Sequence, residues 1–451
     1  MTLYRRPLDY RDPVAAFAPF KDTPFALLLH GPGARYSYIC VDPLETMVWT
    51  DSGGDPLSEM QARLKSLPFH RPIEAAPFLG GWAGLLSYEF GRAVLPRLEG
   101  GPKRGAWPDL AFGLYDHVVV FDHETRRAEI LAQDWGRDVE RLATRLAAKL
   151  GDNHLEAPLL SAYARLREAR AGYERKIARV IEYVRAGDCF QANLSQALDV
   201  DLRRGASPFD LVARLAADGA GPFSAFMRLP GLALASNSPE RFLRVIRDAE
   251  GLVVSTQPIK GTRPRDETPD KDAKLAADLL ASKKDRAENL MIVDLMRNDL
   301  ARVSRAGSVS VPKLHELKSY RHVHHLVSTV TSRLKSECGP ADLLRAAFPG
   351  GSITGAPKIR AMQIISELEG EARGPYCGSM VWMSPDGEMD SSILIRTAAF
   401  EEQKEGSWRA EFRVGGGIVA DSNPADEYDE TLDKARSLLL AFQADLEGAA
   451  A

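Results

Sequence analysis

The chain has 451 residues, of which 45% are hydrophobic and 27% are charged, and its formal net charge is −4. A globular protein of this length can bury a large core, and this charge provides no basic field for nucleic acid. No apolar run reaches the roughly 18 residues of a membrane span, and the N-terminus shows no signal-peptide core. The four cysteines lack metal-ligand spacing, so we expect free thiols in a cytoplasmic protein without nucleic-acid or membrane partners.

Two segments are predicted along the chain, and the first covers residues 1–150. It combines strand-like runs at 110–123 and 128–134 with an amphipathic helix at 138–150. A polar stretch at 151–158 is the predicted linker. We therefore expect the first segment to be rich in sheet and covered by helices.

The second segment, residues 165–445, alternates helices and strands. Its predicted elements, in chain order, are helices at 173–188 and 207–218 around a strand at 194–202, strands at 223–229 and 232–238, one long helical stretch at 271–303, a short helix at 339–348 and a final helix at about 424–446. Mixed elements in this order indicate an α/β or α+β protein.

A carboxylate on the apolar face of a helix is the first chemical hint. The residues three, four and seven positions after Glu288 are all apolar, so its side chain shares their face. A buried carboxylate is costly unless it is paired or binds a metal. Glu288 is therefore either part of a structural ion pair, with Arg286 or Arg297, or a metal ligand.

The last helix carries a second group of carboxylates. Asn423 is a suitable N-cap, and Glu427, Glu430 and Lys434 follow it on one polar stripe. Glu430 and Lys434 are four residues apart, which is also the spacing of an ordinary helical ion pair. The stripe alone does not separate that interpretation from a ligand site.

Three glycines, Gly415, Gly416 and Gly417, precede this helix at the end of a predicted strand. They let backbone amides approach an anionic ligand closely. The spacing with Ala420 fits a dinucleotide-binding motif, but the helix does not begin at the glycines, so that fold is excluded. A P-loop is excluded because the lysine of GGSITGAPK follows Gly355 two residues too late.

A histidine cluster at His322, His324 and His325 could suggest zinc. No paired cysteines and no HExxH spacing accompany it. Partly buried structural histidines are the simpler interpretation.

Lys260 lies in QPIKGT, between a proline that restrains the backbone and a glycine that opens it. An exposed lysine keeps a pKa of about 10.4 and is a poor nucleophile. Burial, or a carboxylate that takes up its proton, would activate the amine. Glu240, near the end of a predicted strand, could be that partner or an acid in its own right. A surface lysine on a loop is the alternative.

Eight motifs occur in the order found in chorismate-utilising enzymes: SPERF, PIKGT, DRAENLMIVDLMRND, HHLVS, GSITGAPK, SSILIRT, GGGIVADS and ETLDKA. Most of residues 165–445 therefore resembles this family. Within this family, the enzymes that form 4-amino-4-deoxychorismate resemble this chain in carrying a lysine in the PIKGT motif. The anthranilate enzymes usually carry alanine at that position. The resemblance implies a two-part α/β body with large antiparallel sheets flanked by helices.

The resemblance also implies a role for each matching residue. Lys260 would be the nucleophile that adds at C2 of chorismate, and Glu240 would be the acid that helps the C4 hydroxyl leave. Mg²⁺ would be held by Glu288 and Glu430, with Glu427 as a further candidate. The matching substrate contacts are Gly415, Gly416 and Lys434 for the ring carboxylate, Tyr376 and Arg396 for the enolpyruvyl group, and Thr354 and His325 for the ring.

Two further expectations concern partners and control. None of the four cysteines has the setting of an amidotransferase nucleophile, so ammonia is expected from a separate glutamine amidotransferase subunit. The stretch ALLLHGPGARYSYI resembles the one in which anthranilate enzymes bind tryptophan, but His30 replaces a serine there. Feedback by tryptophan is therefore not expected, although tryptophan as a structural element stays open.

Other functions remain open at this level. One is anthranilate synthase component I, and another is an isochorismate or salicylate synthase, which would use water in place of ammonia. A third is a non-catalytic subunit that holds an amidotransferase. The complete set of Glu240, Lys260, Glu288, Arg396 and Glu430 argues against that third function.

Overall fold

The computed structural model describes residues 3–31, 35–51, 53–72, 74–95, 98, 101–152, 160, 163–320 and 323–446. Most of the predicted linker at 151–158, and His322 of the histidine cluster, lie outside the described residues. No helix in these ranges is both long enough and apolar enough to cross a membrane.

The helices fall into two groups, one on each side of the predicted linker. Those of the first segment are α1 (Pro13–Phe17), α2 (Pro56–Ser66), α3 (Gly91–Val94) and α4 (Val139–Lys149). Those of the second are α5 (Arg170–Arg185), α6 (Pro208–Gly219), α7 (Pro269–Ala281), α8 (Lys283–Ala301), α9 (Pro340–Ala347), α10 (Lys358–Glu369) and α11 (Pro424–Phe442). A 3₁₀ turn at Gly351–Ile353 lies between α9 and α10.

The longest strands lie in the second segment. The first segment holds β1 (Tyr4–Leu8), β2 (Leu27–His30), β3 (Tyr36–Cys40), β4 (Glu45–Trp49), β5 (Gly81–Leu86), β6 (Leu110–Tyr115), β7 (His117–Asp122) and β8 (Arg127–Ala132). The second begins with β9 (Tyr163–Leu166), β10 (Gln191–Asp201), β11 (Phe223–Leu229), β12 (Leu232–Ser238), β13 (Arg241–Asp248), β14 (Gly251–Thr256) and β15 (Ile259–Pro264). It continues with β16 (Ser310–Ser319), β17 (Val323–Arg333), β18 (Gly355–Ala356), β19 (Ser379–Met383), β20 (Met389–Ile393), β21 (Thr397–Glu402), β22 (Trp408–Ile418) and β23 (Asp445–Leu446).

Two large sheets organise these strands. The first has the order β1-β8-β7-β3-β2-β11-β12-β21-β22-β10-β9-β23, with β18 also paired to β10. The second has the order β15-β17-β14-β13-β20-β19-β5-β6-β4, with β16 also paired to β17. Neighbouring strands run antiparallel, apart from the short parallel pair β9 and β23. This confirms the predicted α/β class with large antiparallel sheets flanked by helices.

Both segments contribute strands to each sheet. In the first sheet β2 pairs with β11, and in the second β5 pairs with β19. The division into residues 1–150 and 165–445 stays a prediction about the chain, and the hydrophobic cores are shared across it.

The core is layered because alternate residues of a strand face opposite sides of its sheet. On β6, Ala111 and Tyr115 face the layer between the two sheets, whereas Leu110, Phe112 and Leu114 face the outer side. The outer side of the second sheet is covered by α2, α8 and α9, and that of the first by α1, α4, α6 and α11. Strands buried on both faces read as continuous apolar runs, which explains why β6 and β7 were found from sequence.

The helices predicted at 271–303 and 424–446 differ from the structure. The helical stretch predicted at 271–303 is broken at Ser282, whose hydroxyl accepts a hydrogen bond from the Asp285 amide and starts α8 there. The last helix ends at Phe442 rather than near residue 446, because Gln443 adopts a left-handed conformation with φ 50°. Ser282 is a favourable N-cap residue, and helical periodicity on both sides concealed the break.

The start of α11 gives a test of the local folding rules. The Asn423 side chain accepts hydrogen bonds from the amides of Ala425 (2.9 Å) and Asp426 (3.4 Å). Asn423→Ala should lower the free energy of unfolding by about 1 kcal/mol, because two amides lose their partner, whereas Asn423→Asp should be nearly neutral. Urea denaturation of both variants measures this. Equal stability of the alanine variant and the wild type would contradict the cap.

Candidate active site

Lys260 lies at an irregular point of the second sheet. The register of β15 against β17 shifts between Ile259 and Thr262, and Gly261 within the shift has φ +86°. A β-carbon at Gly261 would lie 2.9 Å from side-chain atoms of Leu279 and Asp285. The glycine therefore permits both the backbone bend and the close approach of α8, and such a bulge re-aims the side chain beside it.

The amine of Lys260 is partly buried and makes no hydrogen bond or ion pair with any other described residue. Burial lowers its pKa, the nearby carboxylate of Glu288 opposes that shift, and the ammonium of Lys434 adds to it. The carboxylates of Glu240 and Glu430 are also close enough to interact with it electrostatically. A lysine with a lowered pKa and no fixed partner is a candidate nucleophile.

Glu240 lies in the turn between β12 and β13 and is only 6% exposed. Burial raises its pKa to about 7, even though the Ser352 hydroxyl donates a hydrogen bond of 2.9 Å to its Oε1. A carboxyl group with this pKa is partly protonated near neutral pH, as a general acid must be. The structure thus brings Glu240 and Lys260 into electrostatic reach of each other.

Three carboxylates gather beside the glycines of β22. A β-carbon at Gly416 would lie 3.1 Å from Oε2 of Glu427, 3.6 Å from Nζ of Lys434 and 4.0 Å from Oε1 of Glu430. These three side chains of α11 therefore meet above Gly416. Glu288, from α8, lies near enough to interact electrostatically with Glu427 and with Lys260.

Lys434 holds part of this cluster in place. Its Nζ donates to the backbone oxygen of Gly415 (2.8 Å) and lies 2.6 Å from Oε1 of Glu430. The predicted helical ion pair is thus present, and Lys434 lowers the pKa of Glu430 against the effect of burial. Burial raises the pKa of Glu427, which also accepts a hydrogen bond from the Ser422 hydroxyl (2.7 Å).

The structural ion pair considered for Glu288 does not form. Within the described residues Glu288 has no ion pair closer than 4 Å, and Arg297 pairs with Asp294 at 2.7 Å instead. Burial raises the pKa of Glu288, and the positive charges of Lys260 and Lys284 oppose that shift. Glu288 is thus directed at the site rather than neutralised on its own helix.

The donor chemistry of the cluster fits a magnesium ion. Glu288, Glu427 and Glu430 offer carboxylate oxygens, which Mg²⁺ prefers, and Mg²⁺ is usually held by one or two carboxylates together with water and substrate. Across the described ranges no group of three or more His, Cys, Asp or Glu side chains has the geometry of a complete metal site. The three carboxylates do not form a metal site by themselves, and they could supply only part of the ligands of a magnesium ion.

Among the described residues, a buried guanidinium without a hydrogen-bonding partner lies near His325. Arg396 has φ 51°, and its side chain makes no hydrogen bond or ion pair with another described residue. Its charge adds to burial in lowering the pKa of His325 to about 4, so the imidazole is neutral. The Thr262 hydroxyl lies 2.9 Å from Nδ1 of His325. A planar guanidinium that lacks a carboxylate is suited to bind one from a ligand.

The last two predicted contacts are more deeply buried. Thr354 is fully buried, and its hydroxyl donates to the backbone oxygen of Gly350 (2.9 Å). Tyr376 is 7% exposed, and the neighbouring Cys377 amide donates to Leu394, two residues before Arg396. The structure therefore places the Tyr376 and Arg396 segments side by side.

The glycines of β22 are required by packing as well as by the site. Gly415 and Gly417 pair with Ser195 and Asn193 of β10. A β-carbon at Gly415 would lie 2.3 Å from the backbone oxygen of Leu194, and one at Gly417 would lie 2.5 Å from Nε2 of Gln191. The glycine run thus lies within a strand that continues to Ile418, one residue beyond the last glycine.

The zinc alternative gains no support from the described histidines. His324 hydrogen bonds to Asp272 (2.9 Å) and Ser319 (2.8 Å), which leaves no ring nitrogen free, and His325 faces Thr262. His30 is also a structural residue, 3.1 Å from Ser37, and burial lowers its pKa to about 4. It lines a cavity between the two sheets, and binding of tryptophan there stays open.

Three residues near the site were not singled out from sequence. Lys284 precedes Glu288 by one helical turn and interacts electrostatically with all three carboxylates. Its i,i+4 spacing to Glu288 was a usable signal. Ser352 binds Glu240, and Arg373 lies behind Tyr376. The Ser352–Glu240 contact joins elements far apart in sequence, so no local pattern could reveal it. Arg373 lies only three residues before Tyr376, but its contact with that ring depends on packing that the sequence pattern does not show.

Known proteins can now be compared with this site and fold. A family model described as chorismate binding enzyme matches residues 24–440. Aminodeoxychorismate synthase component 1 of Salmonella typhimurium is 40% identical over 444 residues, which cover 94% of each chain. Anthranilate synthase component 1 of Geobacillus stearothermophilus is 38% identical over 96% of this chain and 92% of its own. The crystal structure of anthranilate synthase component I from Streptococcus pneumoniae matches with a TM-score of 0.78 and 31% identity, over 90% of this chain and 92% of that one.

The match covers nearly all of the sequence and includes every residue of the clustered site. It also agrees with the resemblance found in the sequence motifs, and the shared fold accounts for the two large antiparallel sheets. The chain therefore belongs to the family of chorismate binding enzymes.

Proposed function

We propose that this chain is the synthase component that converts chorismate and ammonia to 4-amino-4-deoxychorismate, a step towards 4-aminobenzoate and folate. The observation that carries the proposal is the unpaired, partly buried amine of Lys260, held between Glu240 and the carboxylate cluster. Anthranilate formation needs no such nucleophile. The names of the relatives that are 40% identical support the same choice.

Substrate binding follows from the charges of the site. The guanidinium of Arg396 would bind the enolpyruvyl carboxylate, with the Tyr376 segment beside it. The ring carboxylate would lie over Gly416, near Lys434, where the carboxylates of α11 also converge. A magnesium ion held by Glu288 and Glu430, with Glu427 beside them, would supply positive charge to that ring carboxylate. Thr354 and His325 would line the ring.

Lys260 and Glu240 would carry out the chemistry. The neutral Lys260 amine attacks C2, the ring double bonds shift, and the bond from C4 to its hydroxyl oxygen breaks. Glu240 gives its proton to that oxygen, which leaves as water. Ammonia then adds at C4, and the Lys260 amine leaves C2. The enolpyruvyl ether is retained, so a separate lyase must act later to reach 4-aminobenzoate.

Ammonia would come from a second protein. All four cysteines are free, and burial raises the pKa of each thiol. A nucleophilic cysteine needs the opposite shift. The printed name of the relatives, component 1, also fits a partner subunit. We therefore propose a glutamine amidotransferase partner in the cytoplasm, where free thiols persist.

Identification of the product tests the proposal and Lys260 together. The wild type with chorismate, Mg²⁺ and ammonium at alkaline pH should give 4-amino-4-deoxychorismate, and glutamine should not replace ammonium. Lys260→Ala should lose this product by several orders of magnitude, because the nucleophile is absent. Mass spectrometry should detect a chorismate-derived adduct on the wild-type peptide that contains Lys260.

Lys284→Ala is the matched control, since it removes a nearby lysine that has no covalent role. This variant should form the same product as the wild type, with at least as much Lys260 adduct per turnover. Anthranilate from the wild type would instead assign the chain to the anthranilate synthases. Near-normal aminodeoxychorismate output from Lys260→Ala would refute the covalent step.

The magnesium proposal predicts that only some carboxylates of α11 affect the Mg²⁺ requirement. Glu430→Gln should raise the Mg²⁺ concentration needed for half-maximal turnover at least tenfold, because a charged oxygen ligand is lost. Asp429→Asn is the matched control, because Asp429 pairs with Arg170 at the surface and should leave the Mg²⁺ requirement unchanged. A chelator should abolish turnover of the wild type. Full turnover in excess chelator would exclude a metal role.

The pKa of Glu240 predicts a pH-dependent cost to stability. Because the folded pKa is raised from 4.5 to about 7, stability present at acidic pH is lost as the pH rises towards 7. Glu240→Gln removes the ionisable group, so it should raise the free energy of unfolding at pH 8 by on the order of 3 kcal/mol. At pH 5 the gain should be much smaller. Urea denaturation at the two pH values measures it, and an equal effect at both would show that Glu240 does not titrate in this way.

A further inference from the structure

A buried guanidinium packs against Tyr376, one of the proposed substrate contacts. Arg373 is only 2% exposed and is placed between two aromatic rings, 4.6 Å from the ring centre of Tyr88 and 5.6 Å from that of Tyr376. Tyr376 is a proposed substrate contact, whereas Arg373 itself is none of the groups to which binding or chemistry was assigned. Such stacking stabilises both rings in one orientation.

The same guanidinium ties three separate parts of the chain together. Its Nη2 donates to the backbone oxygen of Asn193 (2.5 Å) on β10, and its Nη1 donates to that of Ile353 (3.3 Å). Asn193 in turn donates its amide to Thr354 (2.8 Å). Arg373 therefore fixes the backbone on both sides of the Thr354 segment, and it does so while packed against Tyr376.

Arg373 is itself held rigidly. Its Nε and Nη2 donate to the two carboxylate oxygens of Glu369, at 2.9 and 2.6 Å. Glu369 also accepts from the amide and hydroxyl of Ser195, both at 2.8 Å. The backbone amides of Arg373 and Gly374 donate to the two oxygens of buried Glu89. A buried charge with four such hydrogen bonds is expensive to assemble and favours one defined geometry.

We propose that Arg373 is a positioning residue of the active site, acting on chorismate through Tyr376 and the Thr354 segment. The proposal rests on the function proposed above and adds to it the group that sets the relative positions of two substrate contacts. Small displacements of such contacts cost large factors in rate. Only a planar fork can serve Glu369, Asn193 and Ile353 together, so lysine is not an equivalent replacement.

Arg373→Lys is the direct test, and Arg71→Lys is its control. Arg71 likewise donates to two backbone oxygens, of Ala76 (2.8 Å) and Pro77 (2.7 Å), and pairs with Glu388 (3.2 Å), but it touches no element of the site. Arg373→Lys should raise the KM for chorismate at least tenfold and lower kcat. Arg71→Lys should lower the melting temperature to a similar degree and leave both constants within twofold of the wild type.

Chemical rescue separates positioning from stability. Arg373 borders a cavity of about 430 Å³, also lined by Tyr88 and Glu369, so Arg373→Ala leaves a space that a guanidinium ion can enter. Guanidinium at low millimolar concentration should restore part of the activity of that variant and should not affect Arg71→Ala. Glu369→Asp keeps both charges but shifts the Arg373 guanidinium, so it should also raise the KM for chorismate. It replaces the Arg373 variants as the test if those do not fold.

The readout is the disappearance of chorismate, which does not depend on which product forms. If the wild type consumes chorismate and Arg373→Lys or Glu369→Asp has an unchanged KM and kcat, the positioning role is wrong and the proposed function is unaffected. An equal rise in KM for Arg71→Lys would overturn it as well, because general loosening would then explain the effect. A wild type that consumes no chorismate would instead contradict the proposed function.

Discussion

The burial of the Lys260 amine, although only partial, is the constraint on which the rest of the site depends. An ammonium in bulk water is a poor nucleophile, and burial shifts the balance towards the neutral amine. The same burial would be prohibitive without compensation, and Glu288, Glu240 and Glu430 provide it from three different elements. Burial acts in the opposite sense on Glu240, whose pKa rises to about 7. One desolvated pocket thus prepares both the nucleophile and the acid.

The fold supplies this pocket by bringing parts of both sheets together. Lys260 comes from the bulged edge of the second sheet, and the glycines come from β22 in the interior of the first. The glycines let α11 approach the strand closely enough for Glu427, Glu430 and Lys434 to meet above Gly416. A side chain at Gly416 would occupy the place where those charges converge, so strand packing and the site depend on the same residue.

Several features of the site are expected to lower the free energy of unfolding. Arg396 has a left-handed backbone and an unpaired guanidinium, and Gln191 is buried with both side-chain polar atoms unpaired. Unsatisfied or strained groups of this kind concentrate at functional sites. By contrast, the buried residues Arg373, Glu369 and Glu89 are joined by several hydrogen bonds. The polar groups without partners are thus next to the proposed substrate contacts, and the hydrogen-bonded groups pack against Tyr376.

The sequence by itself determined several of the elements and the chemical types of the site. Periodicity located β11 and β12 at their observed ends, the N-cap rule identified Asn423, and collinear motifs placed the chain in its family. Only the tertiary structure decided which charges meet. It separated Glu288 from Arg297, joined Ser352 to Glu240, and set Arg373 behind Tyr376. Ser352 and Glu240 are far apart in the chain, and the other two outcomes depend on how neighbouring side chains pack. A pKa likewise depends on burial and on neighbours in space, neither of which local sequence encodes.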